Sequence, residues 1–258
     1  MTSVTHPDLS GQTAIITGAS RGIGAATALH FGGLGAHVVL AARSTEDIKR
    51  LADDIVARGG TAQAVATDVS HNQAVADLVE TTVKTAGRLD VLVNNAGLIN
   101  PIARIMESDP DAWGQSIDVN IKGVYHGLRH AMPIMAAQGH GTIINISSGA
   151  ANSFLEGWSH YCASKAGLQR LTGVAHQEGS AKGIRVVGLS PGTVATEMQE
   201  QIRDSGINPV SQLSWESHIS PQWVARAIAY LTTPAADQWL GTDFSLKTDE
   251  GRSAIGMD

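Results

Sequence analysis

Two residues that could exchange protons, Tyr161 and Lys165, lie four positions apart in the second half of the chain. On a helix this spacing places both side chains on one face, so a phenol and an ammonium group would be neighbours. A nearby positive charge favours the phenolate. Lowering the tyrosine pKa by about three units takes roughly 4 kcal/mol, which a lysine could supply together with a cationic cofactor ring. Ser148, thirteen positions before the tyrosine, could hydrogen-bond a carbonyl oxygen while the proton moves. The pair alone is more often a solvated helix face, so the surrounding segments must decide whether it predicts acid–base chemistry.

A glycine-rich segment near the start of the chain has the layout of a phosphate-binding turn. It follows the apolar run at residues 14–16 and precedes a helical pattern that includes Ala28 and Phe31. A strand, a tight turn and a helix in this order present free backbone N–H groups to a pyrophosphate, and glycines let the phosphates approach the backbone closely. The spacing is G-x-x-x-G-x-G rather than the commoner G-x-G-x-x-G. We therefore predict dinucleotide binding, against the alternative of a plain turn, by Gly18, Ser20, Arg21, Gly22, Ile23 and Gly24.

Together these segments resemble the short-chain dehydrogenase/reductases, in particular their compact single-domain branch, over nearly the whole chain. Four residues follow one another at intervals of 28, 13 and 4 that match the family's catalytic tetrad, namely Asn120, Ser148, Tyr161 and Lys165. Three further motifs also match, each after a strand-like apolar run: Asn94-Asn95-Ala96-Gly97, Ser147-Ser148 and Pro191-Gly192.

The resemblance implies hydride transfer between a nicotinamide C4 and a carbonyl or carbinol carbon, without a metal. Tyr161 would donate the proton in ketone reduction and, as tyrosinate, remove it in alcohol oxidation. Lys165 would lower the pKa of Tyr161 and bind the nicotinamide ribose. Ser148 would polarise the carbonyl, and Asn120 would maintain a helix distortion with a water that carries protons to the lysine. The other cofactor contacts implied by the motifs are Asp68, Val69, Asn95, Ala96, Gly97, Pro191, Gly192, Val194 and Thr196, together with Tyr161 and Lys165 themselves.

The end of the second predicted strand indicates which dinucleotide is bound. An acidic residue there would accept hydrogen bonds from the ribose hydroxyls and repel a 2′-phosphate. Ala42 occupies the position at which NAD-specific relatives carry aspartate, and Arg43 follows it. A guanidinium pairs with a phosphate through two parallel hydrogen bonds, and Arg21 is placed as a second cation. These residues favour NADP(H) over NAD(H), unless Arg43 is only a solvated side chain at the start of the next helix.

Apolar strand-like runs alternate with longer helical patterns along the chain. This alternation predicts an α/β fold, a Rossmann-type, doubly wound and mainly parallel sheet of seven strands flanked by helices. The length suits one catalytic domain over residues 1–258. The irregular residues 197–220 predict a mobile substrate lid, with an inert surface loop as the alternative. We expect strands at residues 13–17, 37–41, 62–66, 90–94, 142–147, 185–190 and around Phe244, and helices near 22–34, 45–58, 72–85, 111–137, 159–181 and 221–231.

Charge and cysteine content argue against several classes of function. The chain has 18 Lys plus Arg against 24 Asp plus Glu, a net charge of −6, which disfavours nucleic acid and anionic membranes as partners. A single cysteine, Cys162, excludes an intramolecular disulfide and fits a reducing, cytoplasmic location. Its place beside Tyr161 suits a small packed residue better than a nucleophile. No signal peptide and no apolar span of about 20 residues are evident.

The residues around the tetrad predict an apolar substrate wall that carries no cation. Its members are Phe154, Leu155, Trp158 and Met198. We therefore expect a neutral ketone or vicinal diketone rather than a phosphorylated sugar, unless Arg203 turns inward. Short segments resemble the sepiapterin reductase and dicarbonyl reductase subgroup. The glycine pair usual before the last strand is replaced by residues 241–250.

Three other interpretations stay open. An NAD-linked sugar or polyol dehydrogenase would share the fold, and a dinucleotide-binding regulator would share it without turnover. His126 and His130 have a helical spacing that could bind zinc, but no carboxylate or cysteine clusters with them in the sequence.

The resemblance also implies a homotetramer, with a dimer as the fallback. Family members commonly pair two long helices with their symmetry mates, and here these are the predicted helices 111–137 and 159–181. Small residues would permit the close approach; they are Gly123, Gly127, Ala163, Ala166 and Gly167.

Overall fold

Seven strands form one sheet in the computed structural model, which describes residues 7–257. Every pairing between neighbouring strands is parallel, in the order β3-β2-β1-β4-β5-β6-β7. The predicted Rossmann-type α/β fold is therefore confirmed. Strands β1 to β7 span Thr13–Thr17, His37–Ala42, Thr61–Ala66, Val91–Asn94, Gly141–Ile146, Ile184–Ser190 and Asp243–Ser245.

Helices cover both faces of the sheet. One face packs against α1, α2 and α8, and the other against α3, α5 and α6. No helix within residues 7–257 is long and apolar enough to cross a membrane. Helices α1 to α9 span Gly22–Gly33, Thr45–Ala57, Asn72–Ala86, Pro110–Ile117, Gly123–Gln138, Ser159–Gly179, Glu197–Ser205, Pro221–Leu231 and Asp249–Ala254.

Successive residues of the central strands point to opposite faces of the sheet, and both faces are buried. On β1, Ile15 belongs to the core cluster that contains Leu78 of α3 and Leu128 of α5, whereas Ile16 belongs to the cluster that contains Phe31 of α1. Because helices cover both faces, the strands have continuous apolar runs instead of alternating polar and apolar residues. This explains why short apolar runs were sufficient to locate them.

A crevice forms where the strand order changes direction at the carboxyl end of the sheet. β1 lies between β2 and β4, so the loops that follow β1 and β4 leave the sheet in different directions. Open parallel sheets bind their ligands at such a point. The glycine turn follows β1 and Asn95 follows β4, so both lie at this crevice.

Two predicted segments differ in the structure. The predicted helix 111–137 is divided into α4 and α5 by a π-helical turn, Asp118–Lys122. The segment 197–220, predicted to be irregular, begins with helix α7. The buried residues of this helix are Gln199 and Ile202, and one of the two is polar. Its apolar periodicity is therefore too weak to be recognised in the sequence.

Candidate active site

A cavity of about 1120 Å³ opens at the carboxyl end of the sheet. It extends from Arg43, after β2, past Tyr161 and Lys165 of α6 to Lys247, after β7. The volume exceeds the ~300–1,000 Å³ of an ordinary small-molecule site, so the cavity has room for a dinucleotide and a second small ligand. All the predicted catalytic and cofactor-binding residues line this cavity except Gly24 and Asn120.

The turn between β1 and α1 requires glycine. Gly18 and Gly22 have positive φ angles of 62° and 56°, a region that other residues rarely adopt. A Cβ atom at Gly18 would lie 2.8 Å from the Ala96 Cα, and a Cβ atom at Gly24 would overlap the Gly18 carbonyl oxygen. Gly24 therefore does not face the cavity but lets the helix pack against the turn.

Side-chain hydrogen bonds attach this turn to the end of β4. The Thr17 hydroxyl accepts from the N–H groups of Asn95 at 2.9 Å and Ala96 at 3.1 Å. Asn95 Nδ2 donates to the carbonyl oxygens of Thr17 at 2.9 Å and Gly18 at 3.2 Å. Asn95 therefore positions the glycine turn, a role that the sequence did not suggest.

The start of α1 fits the pyrophosphate of a dinucleotide. Its N-cap residue, Arg21, makes no side-chain capping bond, and the first turn contains no acidic residue. The first backbone N–H groups of the helix are therefore available to an anion, and the helix dipole favours negative charge there. The close-packed glycine turn beside them admits phosphate oxygens that a side chain would exclude.

Helix α6 brings Tyr161 and Lys165 beside Ser148 at one end of the cavity. Lys165 Nζ lies 5.4 Å from the centre of the Tyr161 ring and donates to the Ile146 carbonyl oxygen at 2.7 Å. The Ser148 hydroxyl is close enough to the Tyr161 phenol to lower its pKa, although burial raises that pKa by more. The Ser148 hydroxyl also accepts from the N–H of Ala150 at 3.1 Å, which fixes its direction. A proton donor and an orienting hydroxyl therefore converge on the same space.

Burial governs the ionisation of both groups on α6. It raises the pKa of Tyr161 to about 12, against the lowering effect of the hydrogen bond with Ser148. Burial also lowers the pKa of Lys165 to about 8, against the Asp243 carboxylate, which raises it. The lowered tyrosine pKa, which is expected from Lys165 together with a cationic cofactor ring, does not arise in the protein alone, because burial raises the pKa of the phenol more than the Ser148 hydroxyl lowers it. Tyr161 is protonated at neutral pH and can donate its proton.

Asn120 lies in the π-helical turn Asp118–Lys122 and is fully buried. Its side chain donates to the Leu98 carbonyl oxygen and accepts from the Leu98 N–H, both at 2.8 Å. Its Nδ2 also lies 3.5 Å from the Ser164 hydroxyl on α6. The helix distortion expected at Asn120 is present, and it connects the loop after β4 to the helix that carries Tyr161.

The two arginines expected near a 2′-phosphate are not equivalent. Arg43 lines the cavity at the end of β2. Although burial opposes the shift, hydrogen bonds from Ser70 and the charge of Arg43 lower the pKa of Asp68. Arg21 forms an ion pair with Glu197 of α7, with Nη1 and Oε2 3.2 Å apart. Arg43 is therefore the better placed of the two to receive a phosphate.

The apolar wall contains three of its four predicted members. Leu155, Trp158 and Met198 line the cavity, and the Trp158 and Tyr161 rings meet edge-on with their centres 5.6 Å apart. Phe154 is fully exposed and lies outside the cavity. Its chain neighbours on either side line the cavity instead, and alternate residues of extended backbone point in opposite directions. The prediction for Phe154 was therefore wrong.

Arg203 does not turn inward. Its guanidinium carbon lies 5.9 Å from the centre of the Trp215 ring, and its Nε lies 3.3 Å from the Asp204 carboxylate. Arg203 is not part of the cavity wall. In this structure it brings no positive charge to the site.

The C-terminal segment that departs from the family pattern contributes two charged residues that the sequence analysis missed. The Asp243 carboxylate accepts from the Ser147 hydroxyl at 2.7 Å and from Gln169 Nε2 at 2.6 Å. Lys247 lines the cavity. The pairing of β7 with β6 brings this segment to the site. The one available signal was its position after the last strand, at the edge where all the parallel strands end.

The two histidines with zinc-like spacing are bonded to separate groups. His126 Nδ1 donates to the Val69 carbonyl oxygen, and His130 Nε2 donates to Asn72 Oδ1, both at 2.9 Å. Across residues 7–257 there is no group of three or more His, Cys, Asp and Glu side chains that could hold a metal ion.

Comparison with known proteins gives consistent matches along nearly the whole chain. A sequence model described as short chain dehydrogenase matches residues 12–206. The chain is 36% identical to cis-4-hydroxycyclohexanecarboxylate dehydrogenase of Sinomonas cyclohexanicum, covering 95% of this chain and 97% of that protein. It is 35% identical to 3-oxoacyl-(acyl-carrier-protein) reductase of Synechocystis sp., and the match covers 92% of this chain and 96% of that protein. A metagenomic short-chain oxidoreductase solved in complex with NADP is 37% identical to this chain. The match covers 92% of this chain and 96% of that one, and the two structures superpose with a TM-score of 0.77.

Proposed function

Because the chain belongs to the short-chain dehydrogenase/reductase family, we propose that it is an NADP(H)-dependent enzyme that interconverts a ketone or diketone and a secondary alcohol. As a member of this family, the protein is an oxidoreductase that acts on alcohol and ketone groups. The observation that carries the finer proposal is the convergence of Tyr161, Ser148 and Lys165 at one end of a cavity whose other wall is the glycine turn.

The chemistry follows from the protonation states of the tetrad. A bound nicotinamide supplies or accepts the hydride. Tyr161 is protonated at neutral pH, since burial raises its pKa to about 12, and it donates this proton to the substrate oxygen during reduction. Ser148 hydrogen-bonds the same oxygen and orients the carbonyl. The Lys165 ammonium, beside the ring, stabilises the tyrosinate that remains.

The carbon frame of the substrate packs against an apolar wall. Leu155, Trp158 and Met198 line the cavity near the tetrad, and such a wall favours hydrocarbon over a sugar rich in hydroxyl groups. One relative is named for a substituted cyclohexanol. A cyclic or aryl ketone is therefore the substrate frame we favour.

The proposal is tested by following the oxidation of NADPH and NADH with a panel of substrates. The panel contains cyclohexanone, an aryl ketone, a vicinal diketone and an aldose. We expect NADPH-dependent turnover of at least one ketone or diketone with a higher kcat/KM than for the aldose. Turnover of the aldose alone with NADH would favour the polyol dehydrogenase, and dinucleotide binding without any turnover would favour the regulator.

The cofactor preference depends on Arg43. Replacing Arg43 by alanine removes the guanidinium at the end of β2, and the loss of a charge-assisted bond to the 2′-phosphate corresponds to about 10- to 100-fold weaker NADPH binding. Binding of NADH, which lacks that phosphate, should change by less than about threefold. Fluorescence titration of both cofactors measures the two dissociation constants.

Arg58→Ala is the matched control for this experiment. Arg58 follows α2 and forms an exposed ion pair with Asp54 at 2.7 Å, and it does not line the cavity. Its replacement should leave both dissociation constants unchanged. Equal weakening of NADPH and NADH by Arg43→Ala would instead assign Arg43 a structural role.

We further propose a homotetramer that assembles through α5 and α6, but not through all the small residues first expected. Gly123 and Gly127 face inward, against Val69 and Asn94 of the same chain. The outward surface of these helices instead exposes Tyr125 at 50% and Val174 at 54%. Light scattering at micromolar concentration should give four times the chain mass of 26.9 kDa. A monomer would contradict the proposal, and a dimer would restrict the interface to one helix pair.

A further inference from the structure

We propose that Lys247 binds an anionic group of the substrate, a carboxylate, beside the reacting carbonyl. This inference rests on the proposed function and narrows it to ketones and alcohols that carry a carboxylate. It also replaces the neutral substrate expected from the sequence, because the cation comes from a distant segment of the chain.

The backbone around Lys247 is fixed on both sides. Leu246 is buried and donates its N–H to the Ser190 carbonyl oxygen at 3.1 Å. The Thr248 hydroxyl caps α9 by accepting from the N–H of Gly251 at 3.1 Å. Because both neighbouring residues are held by hydrogen bonds, the backbone of Lys247 has a fixed position, and its side chain extends from there into the cavity.

The Lys247 side chain extends across two glycines at the tetrad end of the cavity. A Cβ atom at Gly192 would lie 3.3 Å from Lys247 Cγ, and a Cβ atom at Gly149 would lie 3.6 Å from Lys247 Nζ. Gly149 directly follows Ser148 in the chain. The ammonium group is therefore next to the backbone that carries the carbonyl-orienting hydroxyl.

The ammonium group of Lys247 is not neutralised by the protein. Two other cations of the cavity wall are bonded within the protein, Arg21 to Glu197 at 3.2 Å and Lys165 to the Ile146 carbonyl oxygen at 2.7 Å. Arg43, at the end of β2, is close enough to Asp68 to lower the pKa of that carboxyl, although burial opposes the shift. Lys247 Nζ has no hydrogen bond or ion pair with any group in residues 7–257. An unpaired ammonium on the wall of a ligand cavity favours an anion through a charge-assisted hydrogen bond.

The position of Lys247 separates its ligand from the phosphates of the cofactor. The start of α1 and the side chain of Arg43 are the features of the cavity that fit phosphate groups. Lys247 lies instead beside Gly149 and Gly192, at the end occupied by Ser148 and the apolar wall. The anion in its reach therefore belongs to the substrate, whose carbonyl faces Tyr161 and whose carbon frame packs against Trp158.

The test compares two ketones that differ by one carboxylate, cyclohexanone and 4-oxocyclohexanecarboxylate. The wild-type protein should have the higher kcat/KM for the keto acid. Replacing Lys247 by methionine keeps an unbranched side chain of similar length but removes its charge. For the keto acid, kcat/KM should therefore fall about 10- to 100-fold, the equivalent of one hydrogen bond to a charged group. For cyclohexanone, kcat/KM should stay within about twofold of the wild-type value.

Lys182→Met is the matched control, because Lys182 is exposed and precedes β6, at the amino end of the strands and so at the opposite end of the sheet from the cavity. The Lys182→Met variant should keep the wild-type kcat/KM for both ketones. An equal fall for both ketones in Lys247→Met, or no preference for the keto acid in the wild-type protein, would overturn the inference.

A binding measurement separates this inference from the proposed function. Calorimetric titration of the NADP⁺-saturated protein should show tighter binding of cyclohexanecarboxylate than of cyclohexanecarboxamide, and Lys247→Met should abolish the difference. If none of the ketones is turned over, the proposed activity is wrong, while the calorimetric preference still decides the role of Lys247. Equal affinity for the two compounds in the wild-type protein would overturn that role.

Discussion

Replacing Tyr161 by phenylalanine is expected to lower kcat for ketone reduction by about 10²–10⁴-fold, the usual contribution of general acid catalysis. The variant loses the hydroxyl that donates the proton but keeps the ring. The edge-on contact with Trp158, with ring centres 5.6 Å apart, therefore stays in place. Because burial raises the pKa of Tyr161 to about 12, the substitution removes no charge at neutral pH. Steady-state kinetics and NADPH titration should show a lost rate with retained cofactor binding.

Tyr125→Phe provides the control for the Tyr161 variant. Tyr125 lies on α5 and is half exposed, so removal of its hydroxyl should leave kcat unchanged. The melting temperature of both variants should remain close to that of the parent protein. A Tyr161→Phe protein with nearly normal kcat would show that the proton comes from elsewhere, for example from water held near Ser148.

The fold was predictable because the strong signals in this sequence are local. A buried parallel strand such as β1 is a continuous apolar run, and the glycine turn directly after it indicates both the helix start and the ligand crevice. The four residues that match the family's tetrad could be predicted from their spacing, since it reflects positions in the π-helical turn Asp118–Lys122, after β5 and on α6 that the fold brings together. These features depend on neighbours within a few residues or on fixed intervals.

The parts that could not be predicted depend on contacts between distant segments. Lys247 reaches the cavity because β7 pairs with β6, and nothing in its immediate sequence indicates a cavity. The raised pKa of Tyr161 likewise comes from burial among elements far apart in the chain. The Tyr–Lys spacing correctly predicts two neighbouring groups, but it contains no information about the water removed from around them.

The inward or outward direction of single residues was a further source of error. Phe154 and Gly127 both lie near the predicted functional surfaces, yet Phe154 points to solvent and Gly127 packs against Asn94. Composition alone cannot distinguish these cases, because aromatic residues and glycines occur on both sides of an element. Register on the element decides them, and register depends on the packing of the whole fold.

Replacing Gly24 by alanine is expected to produce a loss of stability and of NADPH binding, although Gly24 does not line the cavity. The added Cβ atom would overlap the Gly18 carbonyl oxygen and lie 2.7 Å from Asn95 Nδ2. The Gly18 carbonyl and Asn95 both belong to the hydrogen-bonded glycine turn, so α1 must move away from β1. The N–H groups that fit the pyrophosphate would then be displaced from the turn. Overpacking of this kind costs about 1–3 kcal/mol or more, which for a chain of this size lowers the melting temperature by several degrees.

Gly33→Ala, at the other end of the same helix, should have the opposite effect. Gly33 is exposed, and a Cβ atom there would meet nothing within 4 Å. Alanine at such a position reduces the freedom of the unfolded chain and stabilises a protein by about 0.4–1 kcal/mol. Thermal unfolding and NADPH titration should therefore separate the two variants: Gly33→Ala melts slightly higher and binds normally, whereas Gly24→Ala melts lower and binds weakly. Normal NADPH affinity in a folded Gly24→Ala protein would show that the turn tolerates displacement, and the close packing of α1 on β1 would then serve stability alone.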